Sequence, residues 1–187
     1  MINEIITVNT SEQFDTQAAS CKDIFIKKMS DYGNAWRVLR VSSLTDQVFI
    51  KAQRIRTIEE TGEQLVEDGI TSEFMGIVNY AVIALIQLEL GSHSGQTIPE
   101  IEPDVVLKHF DKHIAEARAL MLDKNHDYGE AWRKMRTSSF TDLILMKLQR
   151  VRQIEDHDRK TIASEGIAAN FYDIINYAIF ALIKLSE

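Results

Sequence analysis

DYGNAWRVLRVSSLTDQVFIKAQRIRTIE, residues 31–59, returns as DYGEAWRKMRTSSFTDLILMKLQRVRQIE at residues 127–155, with more than half of the positions identical and no gap. Self-similarity on this scale decides the architecture first, because each copy must form the same supersecondary unit. The match extends upstream through Phe14/Phe110, Asp15/Asp111 and Lys28/Lys124. Downstream, after one inserted residue in the second copy, it runs through Gly69/Gly166 to Asn79/Asn176. Residues 91–103, GSHSGQTIPEIEP, hold both prolines of the chain and predict an exposed linker. The organisation is therefore a first helical repeat over 1–90, a linker over 91–103 and a second helical repeat over 104–187. Each half is marginal for an independent core. The two are expected to pack as an intrachain pseudo-dimer about an approximate twofold, with further homo-oligomerisation left open.

The 187 residues are 45% hydrophobic and 26% charged, the proportions of a globular domain rather than a collagenous, disordered or porin-like chain. Lys plus Arg number 21 against 28 Asp plus Glu, a net charge of −7. No global basic field is available for a nucleic-acid backbone or an anionic membrane, so neither partner is expected and any polyanion must meet a local cluster. A single cysteine, Cys21, and an N-terminus without a charged-then-apolar leader predict a cytoplasmic protein. The apolar runs over 74–90 and 171–185 are interrupted by Asn79, Asp173 and Asn176, and read as buried core helices rather than spans.

Almost everything reads as helix, and the fold class is all-α: two tandem three-helix repeats in a pseudo-twofold bundle. Phe14, Ala18, Cys21 and Phe25 recur at helical spacing, as do Phe110, Ile114, Ala117 and Met121. Cys21 matches Ala117 and reads as a small core residue. Gly33 and Gly129 end these helices. A second helix is expected to start at Ser43 and Ser139 as N-caps, each with an aspartate three residues on, Asp46 or Asp142, in the manner of a capping box. A third is expected over about 69–88 and 166–185, apolar on nearly every side.

Polar residues interrupt these apolar faces in both copies. Winding the second helix at about 100° per residue places Lys51 and Glu59 among Leu44, Val48, Ile55 and Ile58. Lys147 and Glu155 fall likewise among Phe140, Ile144, Val151 and Ile154, with Arg54 and Arg150 at the edge. Two explanations stand. Either the lysines pair internally with carboxylates, since an unpaired buried charge costs several kcal/mol, or the stripe lines a cavity in which Lys51, Lys147, Arg54 and Arg150 bind phosphate. On the third helix, Asn170, Asp173, Asn176, Tyr177 and Lys184 share one side, matched by Glu73, Gly76, Asn79, Tyr80 and Gln87. Such oxygen donors, without a His or Cys cluster, suit Mg2+ or Mn2+.

Other candidates read as structure. His109 and His113 have metal-capable spacing, yet Gln13 and Gln17 replace them in the first copy, and they read as solvated surface. Trp36 and Trp132 either stack on a base or plug the helix ends. P-loop, dinucleotide-binding, serine-hydrolase and zinc signatures do not occur.

The combination K-x-x-DYG-x-AW, then S-x-x-D and K-x-x-R on one helix, then D-x-x-N-Y on an apolar helix resembles the nucleotide modification associated domain 1 family. The resemblance implies a setting near nucleotide chemistry and singles out Lys28, Asp31, Trp36, Lys51 and Arg54, with Lys124, Asp127, Trp132, Lys147, Arg150, Asp173 and Asn176. A looser resemblance is to the all-α MazG-like and dimeric dUTPase-like nucleoside triphosphate pyrophosphohydrolases, whose E-E-x-x-E and E-x-x-D helices bind Mg2+. Here Glu59, Glu60 and Glu63 supply the first motif in one copy, but the second copy has only Glu155 and Asp156. The other motif is divided between Glu73 and Asp173, leaving one composite site at most.

The function expected from the sequence is binding of a nucleotide or related phosphate ligand between the halves, by Lys28, Lys51, Arg54, Trp36, Asn79 and their counterparts Lys124, Lys147, Arg150, Trp132 and Asn176. If the protein is an enzyme, it is a hydrolase of a nucleotide phosphoanhydride. Mg2+ on Glu59, Glu155 and Asp173 would then activate water. Because Gly76 offers no side chain where Asp173 stands, any metal is expected nearer the second copy. The alternative is a non-catalytic interaction or ligand-sensing protein with a buried charged network.

Overall fold

The computed structural model describes residues 9–91, 97–98, 100–157 and 166–187. Among these, six α-helices and no strand occur: α1 Thr10–Tyr32, α2 Val41–Thr61, α3 Ile70–Leu90, α4 Pro103–Tyr128, α5 Thr137–Asp156 and α6 Ile167–Ser186. The fold is all-α, with three helices from each repeat. Short 3-10 turns, Ala35–Val38 and Ala131–Lys134, join α1 to α2 and α4 to α5.

Helical spacing explains which faces are buried. Phe14, Ala18, Cys21 and Phe25 point inward from α1, and Phe110, Ala117 and Met121 from α4. Cys21 is fully buried among apolar neighbours, which push its thiol up to about 12. At the ends of α1 and α4, Gly33 (φ +58°) and Gly129 (φ +57°) donate their N–H groups to the Met29 and Asn125 carbonyls. A side chain would strain either turn. Pro103 opens α4, where its missing N–H is no loss.

The second helices do not begin where a capping box would start them. Arg40 and Arg136 are extended as the chain leaves each 3-10 turn, and helix follows at once, so Ser43 and Ser139 lie inside the first turn and no side chain caps either helix. Asp46 and Asp142 are not caps. They reach across to Arg152 (2.7 Å) and Arg56 (3.7 Å) of the opposite repeat.

The apolar helices α3 and α6 pack extensively on each other at the centre, with α2 against α3, α5 against α6, and α2 against α5. Both are long and apolar enough to cross a membrane, but 67% and 72% of their apolar windows are buried inside this fold. Contacts between the repeats come in exchanged pairs. Thr45 donates to Glu155 and Thr141 to Glu59, each at 3.0 Å. Lys22 meets Asp111 as Arg118 meets Asp15, each at 2.7 Å. Reciprocity of this kind is the contact pattern a pseudo-twofold produces.

Candidate functional site

The 3-10 turn that carries Trp36 is pinned from α3. Gln87 donates to the carbonyls of Arg37 (3.1 Å) and Leu39 (2.7 Å), and the Arg37 guanidinium returns a bond to the Gln87 amide oxygen. In the second repeat Lys184 takes the same role toward the Arg133 carbonyl, at 2.8 Å. Local sequence alone does not hold these turns; a polar residue near the C-terminal end of each apolar helix does.

Between the end of α1, this turn and the facing side of α3 lies a cavity of about 600 Å3. Phe25, Met29, Trp36, Tyr80 and Ile83 give it an apolar and aromatic wall, and Lys28 and Lys51 bring two cations. At its floor Lys51 Nζ lies 3.1 Å from Glu73 Oε2, and Arg54 holds the other oxygen of the same carboxylate. Arg54 also donates to the Asp68 carbonyl (2.6 Å), tying the α2–α3 loop to the floor. The Lys51 stem passes directly over Gly76, where an added Cβ would stand 2.9 Å from Lys51 Cε. The absence of a side chain at position 76 is thus what lets Lys51 lie across α3.

In the second repeat Asp173 replaces Gly76. Lys124 and Lys147, the counterparts of Lys28 and Lys51, bind its two oxygens at 2.5 and 2.6 Å. Lys147 and Asp173 are both buried, so here the internal ion-pair explanation applies. Asn170, in the place of Glu73, turns back to the Gly166 carbonyl. Phe180 replaces Ile83, and the Trp132 indole stacks on it with centroids 4.2 Å apart and planes 5° from parallel.

Asn79 and Asn176 each donate at 3.0 Å to a backbone carbonyl across the repeat, that of Cys21 or Ala117. Their amide oxygens, and the indole N–H groups of Trp36 and Trp132, are buried without hydrogen-bond partners. Asn79 and Trp36 line the cavity, but these two atoms are closed off from solvent. Arg150 is exposed. Lys51, Arg54, Lys147 and Arg150 therefore do not share one cavity between the repeats, and the cavity described here belongs to the first repeat.

The three carboxylates expected to hold a metal have other partners. Glu59 and Glu155 accept threonine hydroxyls across the α2–α5 seam, and Asp173 accepts two lysines. Glu60 pairs with Arg56 and Glu63 is exposed. No group of three or more His, Cys, Asp or Glu side chains able to hold a metal forms among the described residues. The donor set does not fit Mg2+, and no chemistry is derived through it.

His113 is buried rather than solvated, which corrects the expectation from sequence. Its Nδ1 lies 2.8 Å from the Tyr172 hydroxyl and its Nε2 3.0 Å from Glu89, while His109 also meets Glu89 at 3.2 Å. The reason is that α4 packs against both α3 and α6, which turns this face of the helix inward. Met29, Tyr32, Met75 and Ile83 also line the cavity without having been singled out. The signal for Ile83 was its mismatch with Phe180 in otherwise parallel helices.

The nucleotide modification associated domain 1 family matches the chain twice, over residues 28–88 and 124–185, together most of its length. Each match begins at the cavity lysine or its counterpart and ends near the close of the apolar helix. No curated protein and no solved structure matches the chain.

Proposed function

We propose, from the premise that the chain belongs to the nucleotide modification associated domain 1 family, that it binds a nucleotide in the cavity of its first repeat. The observation that carries this reading is the pairing, in one 600 Å3 space, of an aromatic and apolar wall with Lys28 and Lys51. Small-molecule sites typically have about this size and this mixture, an apolar surround with a few placed polar groups. Trp36 offers an aromatic surface to a base, and the lysines answer phosphate charge. The second repeat is a structural partner, its equivalent lysines satisfied by Asp173. Binding without hydrolysis suits this arrangement, because the carboxylates that a metal-assisted hydrolase would gather are spent on threonines and lysines elsewhere.

A thermal-shift titration with nucleoside mono-, di- and triphosphates tests it, since a ligand of the native state raises the melting temperature by mass action, by about 2.7 kcal/mol of stability at a hundredfold excess over Kd. The expected result is a concentration-dependent rise that Trp36→Ala and Lys28→Met both diminish. No rise for any nucleotide at millimolar concentration would remove the reading.

A further inference from the structure

We infer that the second repeat carries in its own side chains what the first repeat takes from its ligand: Asp173 marks the seat of the ligand's anionic group, and Phe180 the seat of its aromatic ring. This rests on the nucleotide-binding reading and makes it specific.

The argument is a comparison of matched positions. Lys28 and Lys51 correspond to Lys124 and Lys147, and Trp36 corresponds to Trp132. In the second repeat the two lysines and the Trp132 ring have partners within the repeat. The lysines clasp one carboxylate from both sides, and the indole stacks on one ring at near-parallel planes. In the first repeat the two satisfying residues are replaced by smaller ones, Gly76 and Ile83, and both replacements face the same cavity. They lie seven residues apart on α3, hence on one face and about 10.5 Å along the axis.

A ring has thus been removed with its tryptophan retained, while the carboxylate has moved one turn along α3 to Glu73, which pairs with Lys51 from the floor and leaves Lys28 facing the cavity. A molecule with one anionic group at one end and a planar ring at the other restores both contacts. Glu73 and Asp68 line the same cavity and repel a longer anionic chain. The ligand class is therefore a nucleoside monophosphate, its phosphate at Lys28 and the cavity side of Lys51 and its base stacked on Trp36.

Gly76→Asp and Ile83→Phe install the second repeat's own occupants. Isothermal titration of the full chain with the four ribonucleoside monophosphates should show each variant binding at least about tenfold more weakly than the parent, a loss of about 1.4 kcal/mol. A cooperative melt of each variant without ligand separates lost binding from lost folding. Nucleoside monophosphates bound equally by the parent, Gly76→Asp and Ile83→Phe would overturn the inference and leave the binding reading intact.

A second measurement needs no nucleotide. Lys28→Met should lower the melting temperature more in the Gly76→Asp background than in the parent, because the introduced carboxylate would draw on Lys28 as Asp173 draws on Lys124. Additive melting temperatures would overturn the anion seat even if the parent bound nucleotides. If the parent takes up no nucleotide, the binding reading fails by itself, and the coupling still decides whether the two lysines form an anion seat.

Discussion

Thr141 donates its hydroxyl to Glu59 at 3.0 Å across the seam between α5 and α2. With the repeats exchanged, Thr45 does the same to Glu155 at 3.0 Å. Both threonines are fully buried. Each also sits one turn into its helix, so two short polar side chains fix the register of the two repeats from opposite ends of one seam.

Burial pushes the Glu59 carboxyl above its ordinary range, against the opposing effect of the Thr141 hydroxyl. A carboxyl whose pKa is raised by folding contributes stability at low pH that is lost as pH rises through the folded value. Glu59→Gln keeps an acceptor for Thr141 and removes this charge. Its stability relative to the parent should therefore grow between pH 4 and 7 in chemical denaturation. Glu59→Ala should instead cost about 1 kcal/mol or more at all pH values, by stranding a buried hydroxyl.

His113 predicts a dependence of opposite sign. Burial holds its pKa below the ordinary histidine value of about 6.5, against the pull of Glu116 and Glu89, with Lys112 acting in the same direction as burial and the Tyr172 hydroxyl facing the other ring nitrogen. The unfolded chain then takes up a proton before the folded one does. Stability should fall as pH drops below about 6.5, by up to about 1.4 kcal/mol per pH unit, until the folded pKa is passed. His113→Gln should flatten this limb of a melting-temperature profile. An unchanged slope between pH 6.5 and 5 would assign the effect to another group.

Much of this was legible from residues alone, and the failures have identifiable causes. The duplication fixed the helix inventory, and helical phase placed Lys51 and Lys147 on inward faces. Phase says which side a residue faces but not what stands opposite. Glu59 and Glu155 were therefore grouped with Asp173, although they meet threonines of the other repeat. Ser43 and Ser139 resembled caps because their spacing to aspartate is right, yet a 3-10 turn upstream moves each N-cap three residues sooner, to Arg40 and Arg136. The cavity was hardest to foresee. Its lining includes Gly76 and Ile83 where the second repeat has Asp173 and Phe180, and an absence of side chain has no periodicity to detect.

Lys147→Met should be costly, because Asp173 would keep only the half-exposed Lys124 as a partner while remaining buried. Breaking one side of a buried pair typically costs about 3 kcal/mol or more. Lys147→Met combined with Asp173→Leu should recover most of that loss, since replacing both charges by apolar groups leaves nothing stranded. Urea denaturation of the two variants decides it. If the single variant were as stable as the parent, the buried pair would contribute nothing and Lys124 alone would satisfy Asp173.

The strongest structural prediction concerns the halves. From α3, residues such as Ile77, Val78, Ala81, Ala84 and Leu85 are buried, and α6 is the helix against which α3 packs most extensively. A chain ending at residue 92 would bare the side of α3 that α6 covers, together with the α2 face that meets α5. Exposed apolar surface on that scale, on a half already short of core, drives association rather than solubility. Residues 1–92 produced alone should therefore aggregate or unfold without a cooperative transition. Co-produced with residues 97–187, they should be recovered as a soluble one-to-one complex by size-exclusion chromatography, because the seam from Thr45–Glu155 to Thr141–Glu59 needs no covalent linker. A monomeric, cooperatively melting first half would mean that each repeat completes its own core, and the central packing of α3 on α6 would then be an interface between two domains rather than the core of one.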